Sequence, residues 1–245
     1  MKRLVRSFFN LFGYDFVKAQ YNNADFEKHL SNVIAAKNID CIIDVGANKG
    51  QYGESLRKMG YKGRIVSFEP VKSVFNVLKE KCDKDDRWDC YNLALGDKKE
   101  EKTINVYQST VFSSFLQANE YSKNIWQSLE NVTPEVVNVV RLDDVYAELV
   151  GRTGCTNCML KLDTQGYDKQ AFDGAIGSLK HILALQSELA LIPVYDGMLP
   201  VYDVLKIFHE HNFFISGMYP INRDESLAVI EYDCVLVKKE SAPKI

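Results

Sequence analysis

A short run of residues, 44–50, combines a carboxylate with two glycines in a pattern typical of a nucleotide-binding turn. Asp44 ends an apolar segment, Gly46 permits a sharp turn of the backbone, and Gly50 admits close approach of another group. A helix that begins at this turn offers free N–H groups to an anionic part of a ligand. About twenty residues further on, Glu69 follows a second apolar segment, where a carboxylate accepts the two hydroxyls of an adenosine ribose. Together these residues predict a site for a nucleoside-containing ligand.

The spacing of the two glycines separates two kinds of nucleoside ligand. Dinucleotide sites use G-x-G-x-x-G, because a pyrophosphate must lie against the helix N-terminus. Here Ala47, Asn48 and Lys49 stand between the glycines and leave less room for a pyrophosphate. Asp44 would repel phosphate but suits a ligand with an ammonium or sulfonium group, although a solvated strand end is the alternative for this residue alone. S-adenosylmethionine carries both cationic groups and is therefore the predicted cofactor.

The elements that position these residues follow an alternation of short apolar runs and amphipathic segments, which is typical of βαβ units. Strands are predicted at residues 41–45, 64–68, 91–95, 102–107, 136–140, 159–163 and 182–189, with a closing hairpin of 213–219 and 234–237. The segment 109–135 is predicted to form loop and a short helix. The pattern predicts an open, mostly parallel α/β sheet with helices on both faces and an antiparallel strand near one edge.

Residues 1–38 are predicted to form an N-terminal helical extension of one domain that spans residues 39–245. An apolar stripe at helical spacing is formed by Phe26, Leu30, Val33 and Ile34. The opening residues 1–17 are basic and aromatic, which is compatible with a weak contact to a membrane surface or with pairing to a second copy. Ordinary packing on the domain is the favoured interpretation.

Composition and charge argue against several classes of protein. The chain of 245 residues is 46% apolar and 26% charged, which excludes disorder and fibres. Its 30 basic and 33 acidic side chains give a net charge of −3, so nucleic acid is not expected as a partner. No apolar run approaches the roughly 18 residues of a membrane span. Six cysteines and the lack of an export signal predict a cytoplasmic protein, and the single close pair, Cys155 and Cys158, predicts no metal site.

Five motifs in this chain resemble the successive motifs of FkbM-type methyltransferases. They are IDVGANKG (43–50), FEP (68–70), ALGD (94–97), RLDD (141–144) and LKLDTQG (160–166), and the likeness covers roughly residues 40–240. The resemblance implies a class I methyltransferase fold, Rossmann-like, with a seven-stranded sheet. It also implies O-methylation by S-adenosylmethionine, with S-adenosylhomocysteine as product, usually at a sugar hydroxyl of a glycan or on a secondary metabolite. The predicted cofactor-binding residues are Asp44, Gly46, Ala47, Asn48, Gly50, Glu69, Pro70 and Ala94.

Two acids that end neighbouring predicted strands, Asp163 and Glu188, are the predicted catalytic residues. Many members of the family have Glu where this chain has Gln165, so any proton acceptance by that residue passes to another group. Asp163 is the leading candidate for holding the acceptor hydroxyl or taking its proton. The alternative is that Asp163 only orients Lys161 or caps the next helix. Ser113 is among the residues of the irregular segment that are predicted to line the acceptor pocket.

Three functions are consistent with these residues. An O-methyltransferase acting on a small-molecule or glycan acceptor is favoured. A nicotinamide-dependent oxidoreductase with an atypical turn and a non-catalytic S-adenosylmethionine-binding protein are the alternatives. Tyr195 and Tyr219 offer aromatic groups of the kind that hold sugars, although an aromatic near a strand end is more often part of a core.

Overall fold

The computed structural model describes residues 26–149 and 151–239. The helices of this part of the chain are α1 (Phe26–Ala36), α2 (Gln51–Lys58), α3 (Lys72–Cys82), α4 (Glu120–Ile125), α5 (Leu142–Leu149), α6 (Asp168–Asp173) and α7 (Val201–Glu210). The strands are β1 (Cys41–Val45), β2 (Arg64–Phe68), β3 (Trp88–Tyr91), β4 (Ala94–Leu95), β5 (Glu100–Tyr107), β6 (Val132–Val140), β7 (Cys158–Leu162), β8 (Ile182–Ala190), β9 (Phe213–Arg223) and β10 (Val229–Lys238). The predicted features of residues 1–17 lie outside the described residues.

Seven strands form the main sheet in the order β3-β2-β1-β7-β8-β10-β9. The pairs from β3 to β8 are parallel, and β10 runs antiparallel to both of its neighbours. The predicted mostly parallel sheet with one antiparallel strand near an edge is therefore confirmed. From β1 the chain continues to β2 on one side, and it later returns to β7 on the other side of β1, so the strand order reverses at β1. Such a switch point opens a crevice at the carboxyl ends of the strands.

Helices cover both faces of the main sheet, and alternate residues of each strand supply the two cores. On one face, Ile43 of β1 belongs to the cluster that contains buried residues of α5, α6 and α7. On the other face, Ile42 belongs to the cluster that contains buried residues of α1, α2 and α3. The stripe predicted for α1 places Leu30 and Val33 in this second core. None of the helices in the described ranges is long and apolar enough to cross a membrane.

A second, three-stranded sheet of order β4-β6-β5 was not predicted as a separate unit. The single strand predicted at 91–95 is wrong, because β3 ends at Tyr91 and β4 belongs to the small sheet. Asn92 causes the break, since its side-chain amide donates to the carbonyl oxygens of Glu69, at 3.0 Å, and Pro70, at 2.7 Å. These bonds turn the chain away from the main sheet before the apolar residues 93–95 are reached.

The small sheet also changes the description of the irregular segment 109–135. This segment holds the short helix α4, as predicted, but its end already belongs to β6, which begins at Val132. Residue Pro134 lies within β6, opposite Asn105 of β5. Proline and the exposed start of β6 weaken the sequence signal for a strand, so the pattern identified only its second half.

Truncation of Leu30 tests whether α1 is part of the core. This side chain is fully buried against the sheet, so Leu30→Ala is expected to lower the free energy of unfolding by about 2–5 kcal/mol in a urea titration followed by circular dichroism. The matched control is Leu191→Ala, at a leucine that is 42% exposed, which is expected to change it by less than about 1 kcal/mol. Equal losses in the two variants would contradict the packing of α1.

Candidate active site

A cavity of about 360 Å³ lies at the carboxyl ends of the central strands, where the strand order reverses. This volume is in the range of cavities that hold cofactors and small ligands. The predicted site residues that line it are Gly46, Ala47, Asn48, Glu69, Pro70, Ala94, Asp163 and Glu188. The fold therefore brings together, in one pocket, residues that are up to about 140 positions apart in the chain.

The turn after β1 depends on Gly46. Its φ of +76° lies in the left-handed region, and a Cβ placed on it would stand 1.9 Å from the carbonyl oxygen of Asp163. The backbone N–H groups of Gly46 and Ala47 both donate to the carbonyl of Phe68 at 3.0 Å. The turn is thus held between the ends of β2 and β7, and a side chain at Gly46 would force those strand ends apart.

Glu69 is the carboxylate at the end of β2, and it is buried in the pocket wall. Its two oxygens accept backbone N–H groups, from Asn48 at 2.9 Å and from Val71 at 2.8 Å. Burial raises the pKa of Glu69 to about 7 in spite of these hydrogen bonds, which favour the anion. The carboxyl therefore titrates close to neutral pH and is fixed in position by the turn and by the start of α3.

The predicted contact residue Asp44 is fully buried and is not among the residues that line the cavity. Its Oδ1 lies 3.0 Å from Nζ of Lys161, which stands directly opposite in β7 and does line the cavity. The same ammonium lies 3.2 Å from Oδ2 of Asp163. Burial by itself would lower the pKa of Lys161, but Asp163 and Asp44 outweigh it and raise that pKa. We call Asp44, Lys161 and Asp163 the ion triad.

The second predicted residue outside the cavity lining is Gly50. Its φ is +84°, and a Cβ there would meet Leu78 at 2.9 Å and the ring of Trp88 at 3.1 Å. Gly50 thus admits close approach of core side chains, where the sequence predicts close approach of a ligand. Gly50 and Asp44 therefore help to position the residues that line the cavity without lining it themselves.

Gln165 connects the two predicted catalytic acids. Its Nε2 donates to Oδ1 of Asp163 and to Oε2 of Glu188, both at 2.9 Å, and its Oε1 accepts from the hydroxyl of Tyr195 at 2.8 Å. Both N–H groups and the oxygen of the Gln165 amide are therefore hydrogen-bonded, and these bonds fix the orientation of the amide. Of the predicted alternatives for Asp163, contact with Lys161 is present, whereas α6 begins after Tyr167 without a side-chain cap.

The two acids differ in their protonation. Burial raises the pKa of Glu188 well above its ordinary value, and the negative charges of Asp163 and Glu231 raise it further. Burial acts in the same direction on Asp163, but Lys161 outweighs it and holds the pKa of Asp163 below its ordinary value. The two opposite shifts favour an ionised Asp163 beside a protonated Glu188. The Asp163 side chain is 35% exposed, so its carboxylate is accessible from the cavity.

The sequence did not single out several lining residues on the acid side of the cavity. Glu231 of β10 is buried there and accepts from the Asn222 amide of β9 at 2.9 Å. The two carboxylates of β10, Glu231 and Asp233, among its apolar residues were an available signal. Tyr52 was harder to identify from the sequence. In the structure, the centre of its ring lies 5.0 Å from the Lys161 ammonium.

The serines and tyrosines predicted for the acceptor site differ in whether they line the cavity. Ser113 lines the cavity, and the neighbouring Ser114 is buried and donates to the carbonyl of Gln165 at 2.6 Å. Tyr195 is buried behind Gln165, whereas Tyr219 packs edge-on against Phe26 of α1, outside the cavity lining.

Across residues 26–149 and 151–239, no group of three or more His, Cys, Asp or Glu side chains is arranged to hold a metal ion.

The strand order of the main sheet and the pocket at its switch point define the class I methyltransferase fold. The sequence matches the Methyltransferase FkbM domain over residues 44–215, which is most of the chain. The chain belongs to the FkbM methyltransferase family. This membership supports methyl transfer and gives no support to the oxidoreductase alternative.

Solved structures with a similar fold share little sequence with this chain. One is an FkbM methyltransferase from Methylobacillus flagellatus KT, with 13% identity and a TM-score of 0.49 over 82% of this chain and 44% of that one. The chain thus spans less than half the length of that protein. An uncharacterised Listeria monocytogenes protein has 11% identity and a TM-score of 0.48 over 90% of this chain and 71% of that one. Aeropyrum pernix fibrillarin with bound S-adenosyl-L-methionine has 11% identity and a TM-score of 0.46, over 85% and 74%. A search of the curated proteins found no match.

Substitution of Gly46 tests the packing of the turn between β2 and β7. Gly46→Ala combines left-handed backbone strain with a collision against Asp163, so it is expected to destabilise the protein well beyond the roughly 1–2 kcal/mol of the strain alone. Gly197→Ala is the matched control, because Gly197 has a φ of +77° and a Cβ added there would meet nothing within 4 Å. Thermal unfolding of both variants measures the difference, and equal losses would show that the collision is relieved by local movement.

Proposed function

We propose that the protein is an S-adenosylmethionine-dependent O-methyltransferase that transfers the methyl group to a hydroxyl of a sugar, a glycan or a related metabolite. The observation that carries this proposal is the excess of acids in the cavity lining. Four carboxyl groups, of Glu69, Asp163, Glu188 and Glu231, face one ammonium group, of Lys161. That ammonium is already paired with Asp44 and Asp163, so this lining offers no free cation to a diphosphate, whereas a sulfonium cation would favour the ionised form of the acids whose pKa burial raises.

The cofactor-binding half of the cavity is the part formed by the ends of β1 and β2. Glu69 is proposed to accept the ribose hydroxyls of the adenosine, since its carboxylate is fixed by two backbone N–H groups. The turn at Gly46, Ala47 and Asn48 is proposed to hold the methionine part, with Pro70 and Ala94 beside the adenine. Asp44 contributes through Lys161, because its side chain does not reach the cavity lining.

The acid half of the cavity, which is the part lined by Asp163, Gln165, Glu188, Asn222 and Glu231, is proposed to bind the acceptor. Bound S-adenosylmethionine supplies an electrophilic methyl group with a neutral leaving group, so alignment of the acceptor oxygen contributes most of the rate. Asp163 is ionised and accessible, and it is proposed to accept the hydroxyl proton as the O–C bond forms and the C–S bond breaks. Glu188 carries a proton and is proposed to donate a hydrogen bond to Asp163 or to the acceptor.

The lining of the acid half favours an acceptor with several hydroxyls. The carboxyl group of Glu231 and the carboxamide of Asn222 supply hydrogen-bond donors and acceptors, as sugar hydroxyls require. The excess of acids over bases disfavours a nucleic acid as acceptor.

All six cysteines are free thiols, which supports a reducing compartment, and we propose the cytoplasm.

Cofactor affinity is expected to depend on pH through Glu69. The pKa of this acid is raised to about 7, so the free protein carries it protonated below that pH and ionised above. Because ribose hydroxyls donate to the anion, binding favours ionisation. The affinity for S-adenosylhomocysteine, measured by calorimetry, is therefore expected to fall as the pH drops through 7, by up to about tenfold per pH unit.

Two variants test whether Glu69 causes this pH dependence of cofactor affinity. Glu69→Gln is expected to weaken binding at pH 8 and to flatten the profile, and its unfolding curve shows whether the fold is retained. Glu231→Gln is the matched control, because Glu231 is another buried acid of the cavity with a raised pKa, but it lies in the acid half. A profile that stays steep in Glu69→Gln and flattens in Glu231→Gln would refute the assignment of the ribose site.

The different protonation of the two acids predicts different effects of their amide variants. Asp163→Asn removes the ionised group and is expected to slow methyl transfer by about 10²–10⁴-fold. Glu188→Gln replaces a protonated acid by a neutral group of the same shape that still donates to Asp163, so its rate is expected to stay within about tenfold of the wild type. The measurement is release of S-adenosylhomocysteine with deoxysugars and glycan fragments as acceptors.

Cofactor binding is the control for both variants, since neither acid lies in the proposed adenosine site. The affinity for S-adenosylhomocysteine is expected to change by no more than about threefold in Asp163→Asn. An unchanged rate in this variant would remove Asp163 from catalysis. Cofactor binding with no turnover in the wild type, across the whole acceptor panel, would favour the non-catalytic alternative.

A further inference from the structure

A polar groove of about 670 Å³ adjoins the cavity. The two depressions share Asn48, Gln51, Thr110 and Val111 in their linings, so the groove and the cavity meet along these residues. The shared wall is the 3₁₀ turn Thr110–Phe112, which is linked to the turn after β1 by a hydrogen bond from the Asn48 amide to the Thr110 hydroxyl at 3.3 Å.

The chemistry of this groove differs from that of the cavity. Its lining has five carboxamides, which belong to Asn48, Gln51, Gln108, Gln127 and Asn131, and three hydroxyls. The only charged lining residues in the described part of the chain are one lysine and one glutamate, and their charges cancel. The groove therefore presents mainly neutral hydrogen-bonding groups.

Groups of this kind recognise one class of ligand. A carboxamide donates through its nitrogen and accepts through its oxygen, and a hydroxyl does both, which matches the hydroxyls of a carbohydrate. The exposed side chain of Val111, 47% accessible, offers an apolar surface for the C–H face of a sugar ring. A polyanion such as RNA would need clustered Lys or Arg side chains, and this groove supplies a single lysine.

We propose that this groove binds the part of the acceptor beyond the methylated unit, and that this part is an uncharged oligosaccharide chain. The proposal rests on the proposed function, because the cavity must hold the reacting hydroxyl for the groove to hold its continuation. It goes further in requiring an extended acceptor. A monosaccharide in the acid half of the cavity would not reach the exposed carboxamides of Gln108, Gln127 and Asn131 in the groove.

The test is oligosaccharide binding by the full chain with saturating S-adenosylhomocysteine. The probes are neutral linear oligosaccharides, from disaccharides to hexasaccharides, measured by saturation-transfer difference NMR. We expect affinity to rise with length and signals to come from several consecutive units. The triple variant Gln108→Ala, Gln127→Ala and Asn131→Ala, which changes exposed residues of the groove alone, is expected to lose at least about tenfold in affinity for the longest chain.

The control is Asn138→Ala, at an exposed carboxamide on β6 outside the groove lining, which is expected to bind the probes like the wild type. Equal affinity of the wild type and the triple variant, or no binding of any probe, would overturn the proposal. So would salt-sensitive binding of an RNA oligonucleotide that the triple variant loses. S-adenosylhomocysteine binding is measured separately, and its absence in the wild type would refute the proposed function instead.

Discussion

A single buried ammonium group connects the centre of the sheet with the chemistry of the pocket. Lys161 Nζ lies 3.0 Å from Asp44 and 3.2 Å from Asp163, and its side chain is only 6% exposed. Because Asp44 and Lys161 stand opposite each other on adjacent parallel strands, their separation is fixed by the register of β1 and β7. Removal of one member of such a buried pair leaves an uncompensated charge, at a cost of about 3–5 kcal/mol. The ion triad is therefore a condition for the fold as well as for the site.

The triad also decides which of two neighbouring acids is ionised. Asp163 and Glu188 both line the cavity, and two negative charges so close together would repel each other strongly. Lys161 stabilises the charge on Asp163, and the negative charges of Asp163 and Glu231 favour the protonated form of Glu188. Gln165 fits this arrangement, because its amide donates to both acids without adding charge. A glutamate in its place would add a fourth carboxyl to Asp163, Glu188 and Glu231, and another proton or a cation would then be needed.

The sequence predicted those parts of the structure that depend on local patterns. The strands 41–45 and 64–68 match β1 and β2 residue for residue, and the glycines and acids at their ends line or support the pocket. The partner of Asp44 was not predictable in this way, because Lys161 lies more than a hundred positions away and only the strand order brings it near. The small sheet was missed for the same reason. Its separation from the main sheet depends on two hydrogen bonds of Asn92 to carbonyl oxygens, which leave no mark in hydrophobic periodicity.

The irregular segment that carries the wall between cavity and groove is hydrogen-bonded to Gln165, which contacts both proposed catalytic acids. The Tyr195 hydroxyl lies 2.8 Å from Gln165 Oε1 and 3.0 Å from the carbonyl oxygen of Phe112. Ser114 donates to the backbone of Gln165 from the same segment. A change in the wall would therefore reach the acids through Gln165, and it would reach the turn after β1 through the hydrogen bond from the Asn48 amide to Thr110. The wall is thus bonded both to the proposed catalytic acids, by way of Gln165, and to the proposed cofactor turn, so a change of acceptor that moves the wall is expected to affect both.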